Sequence, residues 1–336
     1  MSITLAHITG REDPKWEWFC DALCRQASPA ELAELDIIFI DRLAWGAAAA
    51  FASGHIPLQA SSFKPSRLEK LAAIVRGRFA YRHLAPLPNV YQGPFRLTRQ
   101  DMFYAAVNRN TAIVAARGDY LMVCDDLALP MPGWFSAVKR GAAAGWLLAG
   151  MYKKLLEMVV LDGQLQSFRD HPPGVDRRWG HGSEEAPTPW SGSAVYGCSF
   201  GAPLAKLLQV DGNGLETAGA GAEDYCLGIR LERAGCKVML DRTCLTYESE
   251  EAHGAEPSLP RSRKVVSPDR LPPGYEGDPH SDHVHVNALI KDRARILPMF
   301  PNNLAAIRAF YLQTGLVPIP TEPHLDWRDG SPLSSL

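Results

Sequence analysis

The chain has 336 residues, 46% hydrophobic and 21% charged. That suffices for one large α/β domain with additions or two modest domains, and it lies away from the low-hydrophobicity, high-charge regime of disordered chains. The net charge of −2 selects no partner class, and the best apolar stretches, residues 45–53 and 142–151, fall short of the roughly 20 residues a spanning helix needs.

The first residues lack the basic region and long apolar run of a signal peptide, so cytoplasmic residence is expected. Seven scattered cysteines, without CxxC pairing, read as reduced and mostly buried thiols.

Residues 3–8 form an apolar run ending at Thr9-Gly10-Arg11. Trp16, Phe19 and Leu23 then recur at helical spacing, and residues 35–40 make a second apolar strand that ends on Asp41. This alternation predicts a wound α/β fold with parallel strands. Residues 61–99 contain Pro65, Pro86, Pro88 and Pro94 and one helical pattern at 68–75. Against Glu69 alone stand Lys64, Arg67, Lys70, Arg76, Arg78, Arg82, Arg96 and Arg99, which make either a solvated basic face or an anion site.

Residues 100–116 predict a helix and 119–124 a buried strand ending in Asp125-Asp126. Ligands of open α/β sheets bind at the carboxyl ends of strands, so Asp41 and the Asp125–Asp126 pair mark where a site is expected. Residues 137–161 mix helical and strand patterns. Residues 162–193, rich in Gly, Pro, His and Trp, predict a long loop that covers the site. Helices are predicted at 200–208 and at 225–234, the second capped by Gly235, and short strands at 237–240 and 244–247. Residues 255–280 carry six prolines with Arg261, Arg263 and Lys264; they read as a surface arm leading to helical segments at 284–296 and 303–315.

Two constellations carry chemistry. In the first, Arg109-Asn110, Ile113, Ala116, Gly118 and Asp119-Tyr120 lead through an apolar strand to Asp125-Asp126 and Pro130. A strand-end carboxylate pair can hold Mg²⁺ or Mn²⁺, which as a Lewis acid neutralises a departing nucleotide diphosphate. Such a pair also serves as an ordinary turn or helix cap. In the second, Gly219 and Gly221 precede Glu223-Asp224, with Arg230, Leu231 and Gly235 beyond. A carboxylate at a helix N-terminus is placed to act as a general base, and it is equally favoured there by the macrodipole alone.

Taken together and in this order, the two segments resemble family 2 glycosyltransferases, over about residues 3–254. Ala112 replaces a glycine of that family's helix, and Cys124 stands where many members of its DXD-type motif carry another aspartate. The resemblance implies a GT-A fold, a Rossmann-like α/β fold with a mixed central sheet, over residues 1–254: a nucleotide-sugar-binding half (1–130), an acceptor half (131–254), then a C-terminal extension (255–336).

It further implies Asp126 as metal ligand, Asp125 as donor contact, Asp224 as catalytic base with Glu223 beside it, and Thr9, Arg11, Asp41, Arg109 and Asn110 as donor-binding residues. Members often add a histidine metal ligand after the strand following the acidic helix. Here that place holds Glu248, and His253 five residues on is the expected ligand, with His283 and His285 as competitors. Trp179 and Trp190 are expected to face the acceptor. The implied activity is metal-dependent inverting transfer from a nucleotide-diphosphate sugar, UDP-sugar favoured, to a glycan or lipid-linked saccharide.

A second acceptor is a hydroxymethylated pyrimidine in phage DNA, with Arg76, Arg78, Arg82, Arg261, Arg263 and Lys264 on the phosphates; residues 326–330 vaguely resemble tails of glycosyltransferases found in phage genomes. A non-catalytic nucleotide-sugar-binding protein is a third reading, disfavoured because Asp126 and Asp224 are both present. An NAD-dependent Rossmann enzyme is disfavoured because no GxGxxG follows the first strand.

Overall fold

The computed structural model describes residues 1–41, 66–84, 105–171, 177–181, 186–210, 212–213 and 223–254. The predicted arm and helices beyond residue 254 lie outside the described residues, as does the Gly-rich run before Glu223.

The chain begins with β1 (Ile3–Thr9), α1 (Trp16–Gln26), α2 (Pro29–Glu34) and β2 (Asp36–Asp41). Next come α3 (Ser66–Val75), β3 (Arg82–Leu84), α4 (Ala105–Ala115), β4 (Tyr120–Asp125), β5 (Ala128–Pro130) and α5 (Trp134–Ala144). The second half holds β6 (Leu147–Leu161), β7 (Gln164–Asp170), β8 (Thr188–Pro189), β9 (Ser199–Pro203), α6 (Leu204–Gln209), α7 (Glu223–Arg233), β10 (Val238–Ser249) and α8 (Glu250–Gly254). Single 3₁₀ turns lie at Arg177–Gly180 and Gly192–Ala194.

The ten strands form one mixed sheet in the order β3-β2-β1-β4-β9-β6-β10-β5, with β7 on β6 and β8 on β10. Strands β3, β2, β1 and β4 are parallel. Strand β9 runs antiparallel to both β4 and β6, which joins this block to the parallel pair β6–β10. This is the α/β class with a mixed central sheet that was expected.

Apolar residues cover both faces of the parallel block, which is why its strands read as continuous apolar runs. One face packs Ala6, Ile8, Ile38, Ile40, Leu121 and Val123 against α4, α6 and α7. The other packs Leu5, Ile37, Phe39, Tyr120 and Met122 against Trp16, Phe19, Leu71, Trp134 and Phe135 of α1, α3 and α5. Helix α2 starts with a full capping box between Ser28 and Glu31. Gly235 takes its predicted place after α7 with φ +86, a left-handed conformation that glycine adopts without strain. No helix among the described residues is long and apolar enough to cross a membrane.

The second half departs from the sequence-based expectations in three places. The stretch expected to be one long loop from residue 162 contains β7, because Asp162-Gly163, with φ +49 and +70, form a two-residue turn that pairs Leu161 with Gln164. Residues 199–203 are a strand and only 204–209 a helix, since antiparallel pairing with β4 outweighs local helical preference. The two short strands expected at 237–247 are one, β10, whose register on β6 shifts between Asp241 and Leu245.

Candidate active site

Parallel pairing aligns the strand ends. Thr9 lies beside Asp41, and Ile8 beside Asp125, so the ends of β1, β2 and β4 share one edge of the sheet. Asp126 follows directly. Thr9 Oγ1 donates to its Oδ2 at 2.6 Å, and Arg11 Nε lies 3.3 Å from its Oδ1. Arg11 also donates through Nη1 to the Ala252 carbonyl of α8 at 2.9 Å, bringing the last described helix against this edge.

Arg109 joins the two acidic motifs. It projects from α4 with only 4% of its side chain exposed, donates to Glu223 Oε1 at 2.7 Å, and stands 3.9 Å from Asp125 Oδ1. Burial opposes its charge, but Glu223, Asp125 and Asp224 outweigh burial and raise its pKa above the ordinary arginine value. Asp224 sits at the start of α7. Its Oδ2 accepts from the Gly197 amide at 2.5 Å and its Oδ1 from the Tyr225 amide at 2.7 Å. A Cβ at Gly197 would lie 1.7 Å from Arg109 Nη2, so a larger residue there would displace the guanidinium from its place between the carboxylates. The carbonyl of the next residue, Cys198, accepts from the Asp125 amide at 3.0 Å. The short run Gly197-Cys198 thus braces both acidic motifs from the backbone.

The residue at the place where the resemblance expects a histidine ligand adds a further carboxylate that feels the charges of Asp125 and Asp126. Glu248, on β10, is 6% exposed, and among the described residues its Oε1 has no hydrogen-bond partner. Burial first, and then the charges of Asp125 and Asp126, push its pKa up to about 8 against the pull of Lys154. Asp125 is held up to about 7 by burial and by Asp126, Asp224 and Glu223, with Arg109 opposing. A third of the Asp125 side chain, 34%, stays open to water, which screens part of this repulsion.

Carboxylates that raise one another and a buried orphan oxygen fit a hard divalent cation, which takes oxygen ligands and offsets such repulsion. Among the described residues no three His, Cys, Asp or Glu side chains already converge as a metal cluster; Asp126 is turned onto Thr9 and Arg11. His253 lies in α8, and its side chain is outside the described residues.

Other expected residues sit elsewhere. Asp41 is fully buried, 3.0 Å from His83 Nε2. Asn110 is fully buried and exchanges two hydrogen bonds with the Asn213 backbone, at 2.9 and 2.6 Å, so its amide ties α4 to the segment before α7. Trp179 donates to the Tyr152 carbonyl at 3.0 Å beneath the Arg242 guanidinium, and Trp190 lies against His181 with ring centroids 4.5 Å apart and tilted by 43°, while packing on the core. Both rings are wall components with partial exposure.

Neither a protein-family model nor a curated protein matches the sequence. Among solved structures the chain is similar to proteins solved with a nucleotide sugar or with UDP. TarS of S. aureus in complex with UDP-GlcNAc has a TM-score of 0.49 at 13% identity, over 90% of this chain and 72% of that one. GalNAc-T7 with UDP, GalNAc and Mn²⁺ has a TM-score of 0.47 at 10% identity, over 94% and 55%. The mannosyltransferase PcManGT from Pyrobaculum calidifontis, with GDP-Man and Mn²⁺, has a TM-score of 0.45 at 14% identity, over 94% and 80%. At these values the likeness is one of overall shape, and residue roles rest on the geometry above.

Proposed function

We propose that the protein is a metal-assisted glycosyltransferase of the GT-A kind, moving a sugar from a nucleotide-diphosphate donor to an acceptor hydroxyl with inversion. The observation that carries this reading is the convergence, through Arg109, of Asp125–Asp126 and Glu223–Asp224, two carboxylate pairs about 100 residues apart in sequence. Asp125 and Asp126, with the orphan oxygen of Glu248, would hold the divalent cation, in place of the expected His253. When bound, that cation supplies positive charge to the leaving diphosphate.

The chain's own groups do the rest. Thr9 and Arg11 stand at the end of β1, next to Asp126, and Arg11 presents a guanidinium on the side where a diphosphate would lie. Asp224, oriented by two backbone amides, keeps lone pairs free on both oxygens and takes the proton of the acceptor hydroxyl. As that oxygen bonds to the anomeric carbon, the bond to the diphosphate breaks and the diphosphate leaves with the electron pair. Arg109 holds Glu223 and the Asp125 side of the site at one spacing throughout.

A saccharide acceptor, glycan or lipid-linked, is favoured over phage DNA by the disposition of the basic residues. The Arg82 side chain is 9% exposed and spent on Asp36 and the Ala115 carbonyl, which removes one of the expected phosphate contacts. Arg261, Arg263 and Lys264 lie outside the described residues.

The reading is tested by thermal shift with a panel of nucleotide sugars, UDP-sugars first, with and without Mn²⁺ or Mg²⁺, on wild type, Asp126→Asn and Asp224→Asn. One nucleotide should stabilise wild type only with the cation, and Asp126→Asn should lose that response. Asp224→Asn should keep it while transfer falls about 10²–10⁴-fold, the usual worth of a general base. Stabilisation by no nucleotide at all would end the glycosyltransferase reading.

A further inference from the structure

Arg178, in the 3₁₀ turn Arg177–Gly180, is 2% exposed although it belongs to a stretch whose sequence reads as a surface loop. Its Nη1 donates to the carbonyls of Gly150, near the start of β6, at 2.5 Å and of Ala194 at 2.9 Å. Its guanidinium carbon lies 4.2 Å from the centroid of Tyr196 and 5.5 Å from that of Tyr152, and those two rings meet edge to face at 6.2 Å. Burying a guanidinium is costly unless its donors and its faces find partners, so this side chain fixes whatever it touches.

What it touches leads straight to the site. Ala194 and Tyr196 are the two residues held, and Gly197 and Cys198 follow without a break. Those two supply the amide that orients Asp224 and the carbonyl that holds the Asp125 backbone. A rigid strand residue on one side, Gly150, and the run 194–198 on the other are therefore bolted together by one planar cation. Gly150 has no slack of its own: a Cβ there would meet the Ser199 carbonyl at 2.7 Å and the Cys244 carbonyl at 2.9 Å.

We infer that Arg178 is a positioning residue for the catalytic base, acting through Tyr196 and the Ala194 carbonyl to set where Gly197 holds Asp224. This rests on the proposed role of Asp224. A displacement of about 1 Å at reacting groups costs on the order of 10²-fold in rate, whereas donor affinity, set at the ends of β1 and β4, is left in place.

The test uses the full chain with three variants, Arg178→Met, Arg178→Lys and Tyr196→Leu. Arg178→Met should lower kcat about 10²-fold with donor KM within about twofold, and Arg178→Lys, which keeps the charge and loses the planar stack, should recover about tenfold or less. Tyr196→Leu strips the ring from the guanidinium without removing the cation, and guards against simple misfolding of the methionine variant; a smaller fall in kcat is expected.

Amide hydrogen exchange of Gly197 is read in parallel and should quicken in Arg178→Met and in Tyr196→Leu. Wild-type exchange at that amide in folded variants would overturn the inference, as would equal losses in kcat and donor affinity. If the wild type transfers no sugar yet exchange quickens, the positioning role stands and the proposed reaction falls.

Discussion

The two ends of the central sheet place their functional groups by different rules. In the parallel block, β3-β2-β1-β4, candidate residues sit at strand ends and follow from local pattern, since an apolar run that stops at a carboxylate puts that carboxylate on the carboxyl edge. In the mixed part, β9-β6-β10-β5, they come from the run 196–198, from the 3₁₀ turn at Arg178 and from Glu248 near the end of β10. The lesson is that a wound parallel unit announces its site, while an antiparallel return strand such as β9 and its loops assemble theirs only when packed.

Arg109 spans the seam, so its loss should break both parts at once. Arg109→Leu leaves Glu223 buried without its cation, and the expected destabilisation is about 3–5 kcal/mol, read as a lower urea midpoint at pH 7.5. A loss below about 1 kcal/mol would mean the two halves are coupled by something other than this ion pair.

A titration confined to the parallel block sharpens the contrast. His7, between Phe19 and Phe39 on β1, is fully buried, and neither ring nitrogen has a hydrogen-bond partner among the described residues. Burial lowers its pKa to about 3 although Asp41 works the other way. The folded state thus stays neutral there while the unfolded chain takes up a proton below about pH 6.5, so stability falls with pH across the window from about 6.5 to 3. At about 1.4 kcal/mol per unit, wild type should lose roughly 2–3 kcal/mol through this residue between pH 7.5 and 4.5. His7→Leu should flatten that part of the dependence in urea unfolding at the two pH values. Matching slopes would show that His7 protonates without cost.

The smallest expected effect is a purely local one. Ser28→Ala removes the capping box of α2, far in sequence from either acidic motif, and should cost about 1 kcal/mol with transfer and nucleotide binding unchanged. An accompanying change in donor binding would show that the parallel block is not the sum of local elements that its sequence suggests.

Legibility followed the same division. Asp125, Asp126, Glu223 and Asp224 were named from the sequence and are brought together in space, because each pair lies where a regular element starts or stops. Trp179 and Trp190 were named for the acceptor; Trp179 bonds to the Tyr152 carbonyl, Trp190 packs beside His181, and both stay partly exposed. Glu248 was read from the sequence as standing where the resemblance expects a histidine ligand, with His253 preferred to it. Its interest comes from an orphaned oxygen and from the fields of Asp125 and Asp126, neither of which has a signature in the chain. Arg178 had no signal at all amid glycine, proline and histidine.

The sequence by itself determined the α/β alternation, the strand ends and the order of the two acidic motifs, because apolar period and strand termination are local properties of the chain. The tertiary structure alone decided that β9 runs antiparallel between β4 and β6, that Asp162-Gly163 closes a hairpin, and that Arg109 and the 196–198 run join carboxylates about 100 residues apart. Those choices depend on pairing and burial between distant segments, where desolvation of charge and backbone hydrogen bonding outweigh any local preference.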